Sequence, residues 1–191
     1  MISCINTGKI CIFTSSGKMH QVKVLDIPYG KFRDKGTPID NLSNFSSAEE
    51  QVVYVCDENQ LRMGRLLFAT KMGMIKQVDT TEFMVAKRTI AATKLQDGDE
   101  VIAVQPIHEK QQVVLQTAND YFLRFPAEEV SEKKKGALGV RGIKLQKNDI
   151  LENVYLFEEG TESKIIYKEK EITLNRLKVA KRDGTGNKQR V

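Results

Sequence analysis

Tryptophan is missing from this sequence, and histidine occurs only twice, at His20 and His108. The two histidines stand apart from each other and from every cysteine, so neighbouring residues cannot assemble a zinc-type ligand set. The three cysteines, Cys4, Cys11 and Cys56, are odd in number, form no C-x-x-C pair and lie in β-like apolar runs. They read as reduced, buried thiols of a cytosolic protein. No run approaches the ~18 apolar residues of a membrane span. The first residues, MISCINTGKICIF, lack a basic n-region and a small-residue cleavage site, so they do not read as a signal peptide. Phosphate loops of the P-loop type are absent as well; GTGNK near the end has the wrong spacing. No Ser/His/Asp or Cys/His arrangement is legible, and Glu128, Glu129 and Glu132 have no partner for acid–base work. Charge is plentiful but uneven. Residues 164–191 hold nine Lys/Arg against three Asp/Glu, while residues 1–163 hold 21 against 22. A balanced body with a basic end favours polyanionic partners without naming one.

One passage occurs three times. ICIFTSSGKMHQVKV is followed by KGTPIDNL, LLFATKMGMIKQVD by RTIAATKL, and VVLQTANDYFLRFP by LGVRGIKL. Each copy is an apolar run, a threonine (Thr14, Thr70, Thr117), a turn, a second run, a basic loop and a run ending on leucine (Leu42, Leu95, Leu145). Repetition at this period marks propeller-like or array folds. The runs are short, rich in β-branched and aromatic residues and separated by turn chemistry, as strands are. Gly17, Gly73 and Asn119-Asp120 sit where tight hairpins need positive φ. Thr80 to Ala86 and Ala127 to Lys134 are the best helical candidates. Asp97, Asp99 and Asp149 invite a metal reading by residue type, but two of them, Asp99 and Asp149, recur four residues after Leu95 and Leu145, a repeated place that marks turn-forming aspartate.

The repeats run over about 1–50, 51–103 and 104–154, and a diverged fourth copy covers about 155–191. In that copy KIIYKEKEITLNRL reads as two strands, and AKRDGTGNKQRV, with Gly184 and Gly186, reads as a flexible end. Four strands per unit suit blades of a radial all-β fold. The first repeat opens one strand short, as expected of a fragment of a longer protein.

LLFATKMGMIKQVDTTEF, RTIAATKLQDGDEVIAV, FLRFPAEEV and KKKGALGVRGIKL together resemble the C-terminal domain of the A subunit of bacterial type IIA topoisomerases, DNA gyrase and topoisomerase IV. Ile27-Pro28 and Gly36 to Leu42 resemble the gyrase type of blade. The resemblance covers nearly the whole chain and weakens after about residue 160. It implies a β-pinwheel of about four four-stranded blades that exchange strands, forming an incomplete or open disc. It further implies a basic rim that bends duplex DNA and a cytoplasmic, nucleoid-associated location. The implied protein partners are the remainder of the A subunit, together with the ATPase B subunit. ATP and Mg would be used by other domains, with no cofactor and no catalytic residue in this chain. Asp120 departs from the glycine of the other copies at a modest conformational cost. The Gln-Arg-Arg-Gly-Gly-Arg-Gly box of gyrase and the acidic tail of some gyrases are both missing.

The basic residues fit that expectation. Lys18 and Lys23, Lys76, then Arg124 follow the hairpin turns. Lys31, Arg33 and Lys35, then Lys87 and Arg88, then Lys133, Lys134 and Lys135 with Arg141, precede the last run of each copy. Taken singly, each is an ordinary solvated charge. In register, they suit a duplex carrying one phosphate charge per ~1.7 Å. Beside Gly136, the three lysines leave room for a backbone amide to approach a phosphate. The rival reading is a protein-interaction propeller whose rim is merely solvated.

Overall fold

The computed structural model describes residues 2–190. Among them there is no α-helix, only fourteen strands and six short 3-10 turns. Three antiparallel sheets have four strands each, and a fourth unit has two. In the first sheet β1 (Lys9–Thr14) and β2 (Lys18–Lys23) form a hairpin, flanked by β3 (Val52–Asp57) and β6 (Thr89–Ala91). The second is built on β4 (Arg65–Thr70) and β5 (Met74–Asp79), flanked by β7 (Val101–Ile107) and β10 (Val140–Arg141). The third is built on β8 (Gln111–Thr117) and β9 (Tyr121–Pro126), flanked by β11 (Leu151–Glu158) and β14 (Asn187–Lys188). The fourth unit is the hairpin β12 (Lys164–Tyr167) and β13 (Lys170–Thr173).

Strands β6, β10 and β14 are returns. Each follows the hairpin of the next unit in the chain and goes back to pair with the preceding one. Successive sheets are therefore stitched together by backbone hydrogen bonds. The C-terminal segment, read from sequence as flexible, is one of these stitches. Asn187 pairs with Phe122 and Lys188 with Tyr121, and Gly184 packs on the Leu123 side chain. The expected helices are 3-10 turns at Thr80–Phe83 and Ala127–Glu129. Asp79 caps the first by accepting from the Thr81 N–H.

The repeated threonine closes each hairpin. Its carbonyl accepts from Gly17, Gly73 or Asp120 N–H at 3.0, 2.9 and 3.1 Å. These three residues have φ of 76°, 78° and 69°. Glycine adopts that conformation freely and aspartate at modest cost, so the third hairpin keeps the same turn.

Why the runs are continuously apolar, and not alternating, follows from packing. Inner strands bury both faces between neighbouring sheets. On β4, Leu66 and Phe68 face a core with Cys11, Phe13, Met19 and Phe83. Leu67 and Ala69 face a second core with Leu115, Leu123, Phe125 and Ile143. A third core joins Val114 and Phe122 to Ile172 and Leu174 of the last hairpin. Phe13 has no exposure and meets Phe83 edge-on at 5.2 Å and Phe68 at 5.9 Å. Cys11 and Cys56 face each other across β1 and β3 as buried free thiols.

Candidate nucleic-acid interface

Between the second strand of each hairpin and the return strand lies a strap that crosses to the preceding unit. In each unit the side chain four residues after the positive-φ turn residue helps to hold the strap there. Gln21 Nε2 donates to the carbonyls of Val85 and Lys87 at 3.0 and 2.8 Å. Gln77 Nε2 donates to Val130 O at 2.6 Å. Arg124 Nη1 donates to Asn175 O and Leu177 O at 2.5 and 3.2 Å, and its guanidinium lies 5.4 Å from the Phe157 ring centroid. Arg124 thus occupies the place of Gln21 and Gln77, as a strap anchor.

Lys76 is likewise not a rim cation. It is 1% exposed, opposite Phe68 in the hairpin as His20 is opposite Ile12. Its ammonium donates to the carbonyls of Lys134, Lys135 and Ala137 at 3.0, 2.9 and 2.8 Å. Burial draws its pKa down to about 8, with Glu82 pulling the other way, so it keeps its charge at neutral pH. In the first unit His20 holds the equivalent position. Its Nε2 meets Glu50 Oε1 at 2.8 Å and its Nδ1 meets Thr89 Oγ1 at 3.0 Å. Glu50 also accepts from Thr14 at 2.6 Å and from Ser16. Burial pushes the Glu50 pKa up, but hydrogen bonds from Ser16, Thr14 and His20 outweigh it and hold the carboxyl below its ordinary range.

The remaining basic residues are distributed on the surface. Lys18, Lys23, Arg33, Lys35, Lys87 and Lys133 are exposed, as is Lys31, and none of these side chains has an ion-pair partner among the described residues. Arg88 makes a loose contact with Asp26 at 3.5 Å. Lys134, 86% exposed, lies 3.3 Å from Glu82. Arg141 is paired with Asp183, which raises the guanidinium pKa and lowers that of the carboxyl. Lys135 is half-buried; its Nζ donates to Glu82 O and its amide to Glu82 Oε2, at 2.7 and 2.9 Å. The Lys135 amide is therefore occupied.

The straps bring successive clusters together. Val85 to Lys87, Thr89 to Ala91, Lys135 and Gly136 line one open depression of about 780 Å³. Its floor is the β6 return strand. Two further cation positions recur at the same structural place and escaped the sequence reading. Lys94 and Lys144, both exposed, stand immediately before Leu95 and Leu145; the repeat register contains that signal. Lys178 and Lys181 lie on the fourth strap, where the apolar landmarks that align the other copies are missing.

The aspartates behave as turn formers. Asp99 Oδ1 accepts from the Met72 and Glu100 amides, both at 2.9 Å. Asp149 Oδ1 accepts from Asn119 and Ile150 at 3.0 and 2.9 Å. Among the described residues no group of three His, Cys, Asp or Glu is placed to hold a metal. None of their helices is long and apolar enough to cross a membrane.

An all-β array of strand-exchanging sheets, carrying cations on its inter-sheet straps and no catalytic constellation among the described residues, defines a propeller-type scaffold. Its relatives are specific. Residues 64–108 and 111–158 match the family model described as the DNA gyrase C-terminal domain, beta-propeller. The DNA gyrase A subunit of Lawsonia intracellularis is 32% identical over 167 residues, covering 86% of this chain and 20% of that protein. Its counterpart in Chlamydia muridarum is 36% identical over 143 residues, covering 73% and 17%. A crystal structure of the C-terminal domain of DNA topoisomerase IV superposes with TM-score 0.90 at 24% identity, covering 98% of this chain and 60% of that one. The DNA gyrase A C-terminal domain gives 0.73 at 21% identity, covering 96% and 60%. These two structures speak for the fold. The chain belongs to the family of C-terminal domains of type IIA topoisomerase A subunits. It spans about a fifth of the length of the curated relatives it matches.

Proposed function

We propose that this chain binds duplex DNA without sequence preference and bends or wraps it, presenting the segment to the breakage–reunion core of a type IIA topoisomerase. The observation that carries the reading is the repetition of exposed cations on successive straps, Arg33 and Lys35, Lys87 with Arg88, Lys133 with Lys134, joined by Lys18 and Lys23 of β2. Of these only Arg88 and Lys134 have an acidic neighbour among the described residues, at 3.5 and 3.3 Å. Contacts of this kind position a duplex but read no bases. Their summed energy can offset the roughly 1–10 kcal/mol needed to bend a short site. Lys76 serves the interface indirectly, by holding the strap that carries Lys133 and Lys134, and Arg124 by holding the fourth strap, which carries Lys178 and Lys181. In this reading the chain takes no cofactor, and ATP and Mg enter through other parts of the enzyme, including the ATPase B subunit. Its place would be the cytoplasm, on the nucleoid.

The test is affinity for a short duplex as a function of salt. Neutralising ~6 phosphates predicts a fall of roughly 10³-fold between ~50 and ~200 mM salt. Affinity independent of salt, or no binding at all, would refute the reading and leave the protein-interaction propeller.

A further inference from the structure

Two buried nucleophiles take no part in the interface: the thiols of Cys11 and Cys56. They are 1% and 0% exposed and sit with Phe13, Met19, Leu61 and Phe83 in the core between the first and second sheets. Cys11 is the direct partner of Cys56 in the β1–β3 register. Directly opposed residues of antiparallel strands hold their Cα atoms about 4.5–5.5 Å apart. That lies inside the roughly 4.4–6.8 Å that a disulfide spans. Both side chains enter the same core, so they leave the sheet on one face. Joining the sulfurs therefore needs no shift of register. The pair is particular to this sheet. The same place holds Leu67 opposite Gln105 in the second sheet and Val114 opposite Tyr155 in the third.

The two thiols differ in reactivity. Cys56 S–H donates to the Cys11 sulfur, which holds the Cys11 pKa below its ordinary value; burial and Glu58 pull the other way, and Lys9 assists. The same hydrogen bond, together with burial, pushes the Cys56 pKa up. Cys11 is thus the more acidic of the two, and the thiolate is the attacking form of cysteine. Cys11 also has an approach. An open cleft of about 230 Å³ is lined by Lys9, Cys11, Gln21, Glu58, Phe83 and Val85. The second strap roofs it, tied through Val85 O to Gln21 Nε2 at 3.0 Å and to the Lys9 ammonium at 3.5 Å. A molecule the size of a peroxide fits such a cleft, since a water occupies only about 30 Å³.

We propose that Cys11 and Cys56 form a peroxide-responsive dithiol, which closes to a cross-strand disulfide and clamps β1 to β3. The Cys11 sulfur attacks one oxygen of hydrogen peroxide. The S–O bond forms as the O–O bond breaks, and the departing hydroxide leaves as water with the Cys11 proton. The Cys56 sulfur then attacks the sulfenic sulfur of Cys11. The S–S bond forms as the S–O bond breaks, and hydroxide again leaves as water, with the Cys56 proton. The two thiols lose two electrons and the peroxide gains them. A thiol reductant reverses the change by exchange. The crosslink closes residues 12–55 into a loop that contains the first strap, with Lys31, Arg33 and Lys35.

Intact-mass measurement and peptide mapping of the folded wild type, before and after millimolar hydrogen peroxide, test this. The expected product has lost the mass of two hydrogens, carries one Cys11–Cys56 crosslink that excludes Cys4, and returns to the starting mass with dithiothreitol. Closing a loop of this length should raise Tm by about 5–15 °C. Cys56→Ser keeps a hydroxyl donor beside Cys11 but lacks the resolving sulfur, so peroxide should leave a sulfenic acid on Cys11, trapped with dimedone. Cys11→Ser should leave Cys56 unlabelled under the same conditions. The wild-type mapping decides the case by itself should either variant fail to fold. A folded wild type that keeps both thiols, a crosslink that uses Cys4, an oxidised form no more stable than the reduced one, or labelling of Cys56 in preference to Cys11 would each overturn the proposal.

Discussion

Replacing Lys76 by methionine separates the two roles a lysine could have in this protein. The side chain is of similar length and apolar, so the space beside Phe68 stays filled. What is lost is an ammonium donating to three carbonyls at 2.8–3.0 Å and lying 5.8 Å from the Phe68 ring centroid. A hydrogen bond to a charged donor is worth about 1.5–3 kcal/mol, and the cation–ring contact adds about 0.5–1 kcal/mol. Against them stands a desolvation cost of several kcal/mol for the buried ammonium. A net loss of about 2–3 kcal/mol follows. For a chain of this size a kcal/mol lowers Tm by about 2–4 °C, so calorimetry should show Tm reduced by about 4–12 °C. Duplex affinity, measured well below the transition, should stay within about two-fold of wild type, because this ammonium does not face solvent. A variant of unchanged Tm that loses most of its affinity would refute the assignment and restore Lys76 to the rim.

The converse pattern is expected of Lys87→Ala combined with Lys133→Ala: unchanged Tm, weaker binding, and a salt slope shallower by about 2, read by fluorescence anisotropy. Gly139→Ala would place a Cβ 2.8 Å from Ile75 O. It should destabilise the β10 return by about 1–3 kcal/mol in urea unfolding. Glu50 has a folded pKa below its unfolded value, so its contribution is present above about pH 4.3 and is lost as pH falls through the folded value. Glu50→Gln should therefore flatten the acid limb of the stability profile. An equally steep limb in the variant would show that other carboxylates set it.

The architecture was legible because it is written in repetition. The threonine–turn–leucine spacing located three hairpins, and continuous apolar runs marked strands buried on both faces. The partners of the short returns were not legible. Thr89–Ala91 and Val140–Arg141 are two or three residues long, and their pairing is decided by hairpins lying before them in the chain. The site was read less well for a related reason. Lys76 and Arg124 look equivalent when counted from the turn by charge, but pairing puts them one position apart, Lys76 opposite Phe68 and Arg124 opposite Val114. Burial of a lysine on carbonyls supplied from residues 134–137 leaves no mark in local sequence.

The return strands also set an order of assembly. The first sheet begins at Lys9 but receives its last strand at Thr89–Ala91, and the second runs from Arg65 to Arg141. A ribosome must therefore make nearly a whole further repeat before the sheet it has just left can be finished. Each unit matures one step behind synthesis, with the outer edge of its hairpin open in the interval. The order of synthesis thus constrains the order in which the sheets of this domain can be completed.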